Sequence, residues 1–220
     1  MNHNDAVMNE AVERILVRLQ DMDSRWLIAL AGVPGSGKTT LARQLCERVN
    51  HQCQAAIMTT LGMDGFHLSK AQLNTFPDPQ QAFARRGAPW TFDPQHMSEC
   101  LRQVRESFAS RHCDWPGFEH DIGDPVEAAH QVAADCRIIL VEGLYLLYPE
   151  DGWLAVSEQF DERWFYDVPV DIAMERLCGR HMQAWGMTKE QAMTQIAAND
   201  RLNAQLVWPT RMNADWCFNS

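Results

Sequence analysis

The chain has 220 residues, 46% apolar and 22% charged, an ordinary composition for a folded domain with a full core. Its formal charge of −10 repels phosphate backbones, so nucleic acid is not expected as a partner. The longest apolar runs, residues 26–31 and 138–141, are too short to cross a bilayer, and Asp5, Glu10, Glu13 and Asp21 interrupt any apolar signal core, so no membrane association is expected.

In chain order, Val12, Ile15, Leu16 and Leu19 recur at helical spacing and predict an amphipathic helix over 5–20, whose role stays open. Residues 25–31 form a dense apolar strand, as expected inside a parallel sheet. Glycines over 32–37 break it, and Leu41, Leu45 and Val49 stripe the helix that follows. A second strand is expected over 55–59, running toward Asp64. Residues 74–94 contain Pro77, Pro79, Gly87, Pro89 and Pro94, a loop-rich insertion with a short helix near 80–85. Met97, Leu101, Val104 and Phe108 mark another helix. Pro116, Gly117, Gly123 and Pro125 make 114–126 a protruding hairpin or loop.

Residues 137–142 are the clearest central strand, and 162–168 are another. A helix spans 172–184. Thr188 with Gln191 forms a capping box opening a helix to about Asn199, and a short strand lies near 215–218. Strands alternating with helices predict a parallel sheet covered on both faces. The expected fold is an α/β P-loop NTPase three-layer sandwich. It forms a single domain over 1–220, with a flap over about 74–126 and a lid over about 175–188. Seven scattered cysteines with no C-x-x-C spacing read as reduced thiols of a cytoplasmic protein.

The segment Gly32-Val-Pro-Gly-Ser-Gly-Lys38-Thr39 matches G-x-x-x-x-G-K-[ST] between a strand and a helix. Glycines let consecutive backbone N–H groups curl around phosphates, and the helix points its positive end at the same anion. Gly32, Gly35, Ser36, Gly37, Lys38, Thr39 and Thr40 are the candidate ATP-binding residues. Lys38 is expected to reach the outer phosphates, and the Thr39 hydroxyl to ligate Mg2+. Phosphoryl transfer also needs a group to take the acceptor's proton. Asp64 is the candidate base, and Glu142, closing a strand, is the candidate magnesium-side carboxylate, acting through water.

The glycine loop, Met63-Asp-Gly-Phe-His67, Trp90-Thr-Phe-Asp-Pro94, Gly123-Asp-Pro-Val-Glu127 and Val141-Glu-Gly-Leu-Tyr145 together resemble the uridine kinase, phosphoribulokinase and bacterial pantothenate kinase family. The likeness is greatest to a uridine-kinase-like subgroup labelled nucleoside/nucleotide kinase or fructose transport system kinase. The resemblance implies that Asp64 is the catalytic base, that Phe92 stacks on a substrate ring and that Asp93 binds sugar hydroxyls. It implies that Glu142 serves the magnesium, and that Arg176 and Arg180 of a lid helix contact substrate and phosphates. Phe118 replaces the hairpin aromatic of uridine kinases. His120 is shifted from the position of their base-reading histidine, which Gly123 takes, so uridine specificity does not carry over.

Arg176 and Arg180, four apart, share a helix face and are candidate cations for the transferring phosphoryl group, with a solvated basic patch as the alternative. His181 is expected only to solvate that helix end. His67 either orients Asp64 and the acceptor or is a hydrogen-bonded structural residue. Arg85 and Arg86 either hold a substrate anion or pair with nearby acids. Trp90 and Phe92 are packing anchors or stacking rings. Asn199, Asp200 and Asn203 belong to a helix terminus and turn, with lining of the nucleotide side as the alternative. The expected activity is phosphorylation of a small-molecule hydroxyl by Mg-ATP, in a monomer or homodimer. An ATPase or nucleotide switch acting on a protein partner is the rival reading.

Overall fold

In the computed structural model, which describes residues 3–20, 22–119 and 121–219, the strands assemble as their apolarity dictates. The wholly buried run β1 (Trp26–Ala31) takes the centre of a five-stranded parallel sheet. The other strands are β2 (Met58–Gly62), β5 (Ile138–Gly143), β6 (Glu162–Asp167) and β7 (Trp216–Asn219), in the order β2-β5-β1-β6-β7. Leu27, Ile28 and Leu30 are fully buried, and such burial is worth about 1.5–3 kcal/mol per side chain. The remaining pair, β3 (Cys113–Glu119) and β4 (Asp124–Val132), forms a separate antiparallel hairpin.

Parallel neighbours require crossovers, and helices supply them. Helix α1 (His3–Leu19) packs on α2 (Lys38–Cys53), which joins β1 to β2 and lies over β2, β5 and β1. Short helices α3 (Lys70–Leu73) and α4 (Pro79–Ala84) precede α5 (Pro94–Glu106), and α6 (Trp153–Ser157) packs on α5. Between β6 and β7 run α7 (Val170–Trp185), α8 (Lys189–Gln195), a π-helical turn Ile196–Asp200 and α9 (Arg201–Val207). This is the P-loop α/β sandwich expected from the sequence. No described helix is long and apolar enough to cross a membrane.

Arg25 anchors the start of β1. It is 1% exposed, and all five of its N–H donors are used. Nε donates to Cys136 O at 2.8 Å. One terminal nitrogen reaches Ser107 Oγ at 2.9 Å and the Val104 carbonyl. The other reaches Ala133 O at 2.7 Å and Ala134 O at 3.1 Å. Burial pulls its pKa below the usual arginine value.

Several element bounds differ from the sequence reading. The second strand begins at Met58 rather than 55. Helix α2 persists to Cys53, Gln54 turns the chain in the left-handed region (φ 51°), and the Asn50 amide bonds both N and O of Met58 at 2.9 Å. Phe108 lies past the end of α5. The hairpin extends to Val132, and its register shifts between Trp115 and Gly117, where Pro116 has no N–H to give the ladder. The Thr188 capping box is formed as expected, but its helix passes into a π turn and then α9.

Candidate active site

Sheet order brings the chemistry together. In the order β2-β5-β1, Gly62 pairs with Glu142 and Glu142 with Leu30, so three carboxyl ends lie side by side. The glycine loop leaves one, Asp64 follows another, and Glu142 stands on the third. Functional groups of open parallel sheets collect at this edge.

Within the loop, Gly35 (φ 76°) and Gly37 (φ 92°) occupy the left-handed region, which suits residues lacking Cβ. A Cβ at Gly35 would lie 2.3 Å from Ala173 O, so the loop rests directly on α7. Arg176 of α7 donates to Ser36 O at 3.0 Å, tying helix to loop. Lys38, Thr39 and Thr40 form the first turn of α2, whose N-terminus faces the cleft.

Thr39 Oγ1 donates to Glu142 Oε1 at 3.0 Å. Burial pushes the Glu142 pKa up. Lys38 opposes that rise, Asp64 adds to it, and the Thr39 hydrogen bond opposes it. A hydroxyl and a carboxylate this close form an oxygen donor set that suits a hard divalent cation. Asp64 sits exposed in a 3-10 turn, Met63–Phe66. The turn is pressed against the hairpin, because a Cβ on Gly65 would meet Pro116 O at 2.2 Å.

These groups line one cleft of about 380 Å³, among them Lys38, Thr39, Asp64, His67 and Glu142. Arg86, Phe118, Arg180, His181, Trp185, Gln195, Asn199 and Asp200 complete it. His67 Nδ1 lies 2.8 Å from Asp64 O, and its ring stacks on Phe92 at 4.0 Å and Phe118 at 4.8 Å.

Other candidates stand further back. Phe92 is 4% exposed and packs against Tyr145 and Trp153, so its ring is a wall behind His67. Asp93 caps α5 through the His96 N–H at 2.9 Å and does not line the cleft. Trp90 packs on Phe76, away from the cleft lining. Arg176 meets the loop from the side of α7, whereas Arg180 lines the cleft. His120 lies outside the described residues.

His181 is buried rather than at a solvated helix end. It stacks on Trp185 at 4.5 Å, and burial followed by the Arg180 charge lowers its pKa. Gln195 and Trp185 also line the cleft, and no motif in the sequence marks them. Arg85 and Arg86 are engaged by the protein. Arg85 donates to Ala198 O and Asn203 Oδ1, both at 3.1 Å. Asn199 and Asn203 return donors to Arg86 O at 2.8 Å and Gly87 O at 3.1 Å.

A glycine loop at the end of β1, with Glu142 on the adjacent β5 and Asp64 just past β2 beyond it, is the arrangement of a P-loop kinase. The sequence matches the profile of the Phosphoribulokinase / Uridine kinase family over residues 27–220. A Schizosaccharomyces pombe protein provisionally named uridine kinase C227.14 is 35% identical over 213 residues, covering 96% of this chain and 88% of its own length. A structure from Silicibacter sp. TM1040, provisionally described as a fructose transport system kinase, superposes with a TM-score of 0.84 at 28% identity, covering 96% of this chain and 98% of that one. Phosphoribulokinase from Rhodobacter spheroides shares the fold, with a TM-score of 0.66 at 12% identity over 90% of this chain and 71% of that one. The chain belongs to the phosphoribulokinase / uridine kinase family and is an ATP-dependent phosphotransferase.

Proposed function

We propose that the chain transfers the γ-phosphoryl group of Mg-ATP to a hydroxyl of a small nucleoside-, sugar- or pantothenate-like acceptor. The observation that carries this reading is the meeting of Lys38, Thr39, Glu142, Asp64 and Arg180 in one cleft. A cleft of about 380 Å³ with ring-lined walls suits a small molecule rather than a protein segment.

Each residue has a task in this reading. Backbone N–H groups of residues 35–40 bind the phosphates, and Lys38 gathers charge on the outer ones. Thr39 and Glu142 would hold Mg2+, which would supply charge neutralisation of the phosphates. Ionised Glu142 is costly while buried near Asp64, and a cation removes that cost. Asp64 takes the proton of the acceptor hydroxyl as the acceptor oxygen bonds to the γ-phosphorus, the bond from that phosphorus to the bridging oxygen breaks, and ADP leaves. Arg180 stabilises the equatorial oxygens, and Arg176 positions the loop through Ser36. Residues 74–126 act as an acceptor flap and 175–188 as a lid that excludes water, within one domain. The free thiols suit a reducing cytoplasm.

The test measures ADP release across a panel of hydroxyl metabolites, with Lys38→Ala as blank. Asp64→Asn is expected to cut turnover about 100- to 10,000-fold while ATP affinity stays near that of the unaltered protein. Unchanged turnover removes Asp64 from the base role. Hydrolysis that no metabolite accelerates would favour an ATPase partnered by a protein.

A further inference from the structure

The turn Ile196–Asp200 departs from α-helical winding in the middle of the α8–α9 rod. Such π turns often mark functional positions, because one extra residue re-aims the side chains that follow. Here the turn puts Asn199 and Asp200 on the cleft wall, which also carries Arg86 and Phe118. Asn199 is occupied by the Arg86 carbonyl, but the half-buried Asp200 carboxylate forms no ion pair among the described residues. Burial raises its pKa, while Arg180, its own backbone N–H and Arg85 draw it down. A partly desolvated carboxylate lacking a cation in contact is a strong acceptor for hydroxyl donors.

The cations that would greet a negatively charged acceptor are spent. Arg86 donates to the carbonyls of Gly123 at 2.5 Å and Leu68 at 3.0 Å and to Asp124 Oδ1 at 3.2 Å, while its guanidinium lies 5.4 Å from the Phe118 ring centre. Arg85 is committed to Ala198 and Asn203. Lys38 and Arg180 remain in the cleft, and the phosphoryl donor claims both. The cleft therefore carries Asp64 and Asp200 with no uncommitted flap arginine to offset them, although the Arg180 charge also acts on Asp200.

We infer that Asp200 binds hydroxyl groups of the acceptor, and that the acceptor is an uncharged polyol rather than a carboxylate or a phosphate ester. The inference rests on the acceptor reading of the cleft given above and narrows it. A sugar or nucleoside satisfies two carboxylates with neighbouring O–H donors. An anionic acceptor would meet like charge from both carboxylates, which disfavours it.

The experiment compares ADP release by the full chain with uncharged probes (D-fructose, uridine, glycerol) and with anionic ones (D-fructose 1-phosphate, D-glycerate, pantothenate). The best acceptor is expected among the uncharged probes. Asp200→Ala is expected to raise KM for that acceptor roughly 10- to 100-fold, the loss typical of a charge-assisted hydrogen bond, with KM for ATP within about twofold. Asp200→Asn, which keeps shape and fold, is expected to show the same split. An anionic probe as best acceptor, or an acceptor KM unmoved in both variants, overturns the inference and leaves the kinase reading standing. If no probe accelerates ADP release and none binds by calorimetry beside a non-hydrolysable ATP analogue, the acceptor reading and this inference fall together.

Discussion

Gly35→Ala tests how the glycine loop is held. At φ 76° an alanine costs about 1–2 kcal/mol in backbone strain alone. Its Cβ would also stand 2.3 Å from Ala173 O, where ordinary contact begins at 3.4 Å, so α7 must retreat by about 1 Å. Overpacking of this kind adds roughly 1–3 kcal/mol. The total is about 2–5 kcal/mol, or a Tm lower by about 4–20 °C for a chain of this size. Gly37→Ala is the matched control. Its φ is also positive, at 92°, but a Cβ there meets nothing within 4 Å, so only the strain of about 1–2 kcal/mol applies. Urea unfolding followed by tryptophan fluorescence measures both. The retreat also pulls Arg176 from Ser36, so Gly35→Ala is expected to lose nucleotide affinity beyond what strain explains. Equal stability losses in the two variants would refute the claim that the loop rests on α7.

Two further outcomes are expected. Glu142→Gln should stabilise the nucleotide-free protein at neutral pH. Because burial raises the folded-state pKa, the folding advantage of protonated Glu142 is full below its ordinary value of 4.5 and is lost as pH rises through the raised value. The stability difference between variant and parent should therefore grow above pH 4.5 and vanish below it, whereas a flat difference across that range removes Glu142 as its source. Arg25→Met removes the guanidinium from four carbonyls and the Ser107 hydroxyl; Val104, Ala133 and Ala134 keep a second donor, so Cys136 O loses the most, and the change should cost about 1–3 kcal/mol in urea unfolding, whereas no measurable loss would show that the anchor is replaceable.

What the sequence disclosed depends on the distance over which each feature is written. The glycine loop and Glu142 were legible because motif, strand and helix are contiguous there. The Thr188 capping box was legible because it spans three residues. The start of β2 was misplaced because the Asn50 side chain, eight residues upstream, sets it. Strand β4 is mostly exposed along residues 127–131 and shows no alternation to read. Asp93 has the sequence neighbourhood of a sugar-binding residue, yet it is also an N-cap residue followed by proline, and local hydrogen bonding engages it in the structure. The roles of Arg85 and Asn199 were hidden because their partners lie more than 100 residues away along the chain, whereas Arg86 pairs with the acid Asp124, one of the two readings its sequence allowed.

The four bonds joining Arg85, Arg86 and Gly87 to Ala198, Asn199 and Asn203 link the segment after α4 to the α8–α9 rod. One wall of the cleft cannot swing outward while these bonds hold unless it takes the other with it. Under the proposed kinase reading, admission of acceptor and departure of ADP would then be a single mechanical event, with one slow step governing both.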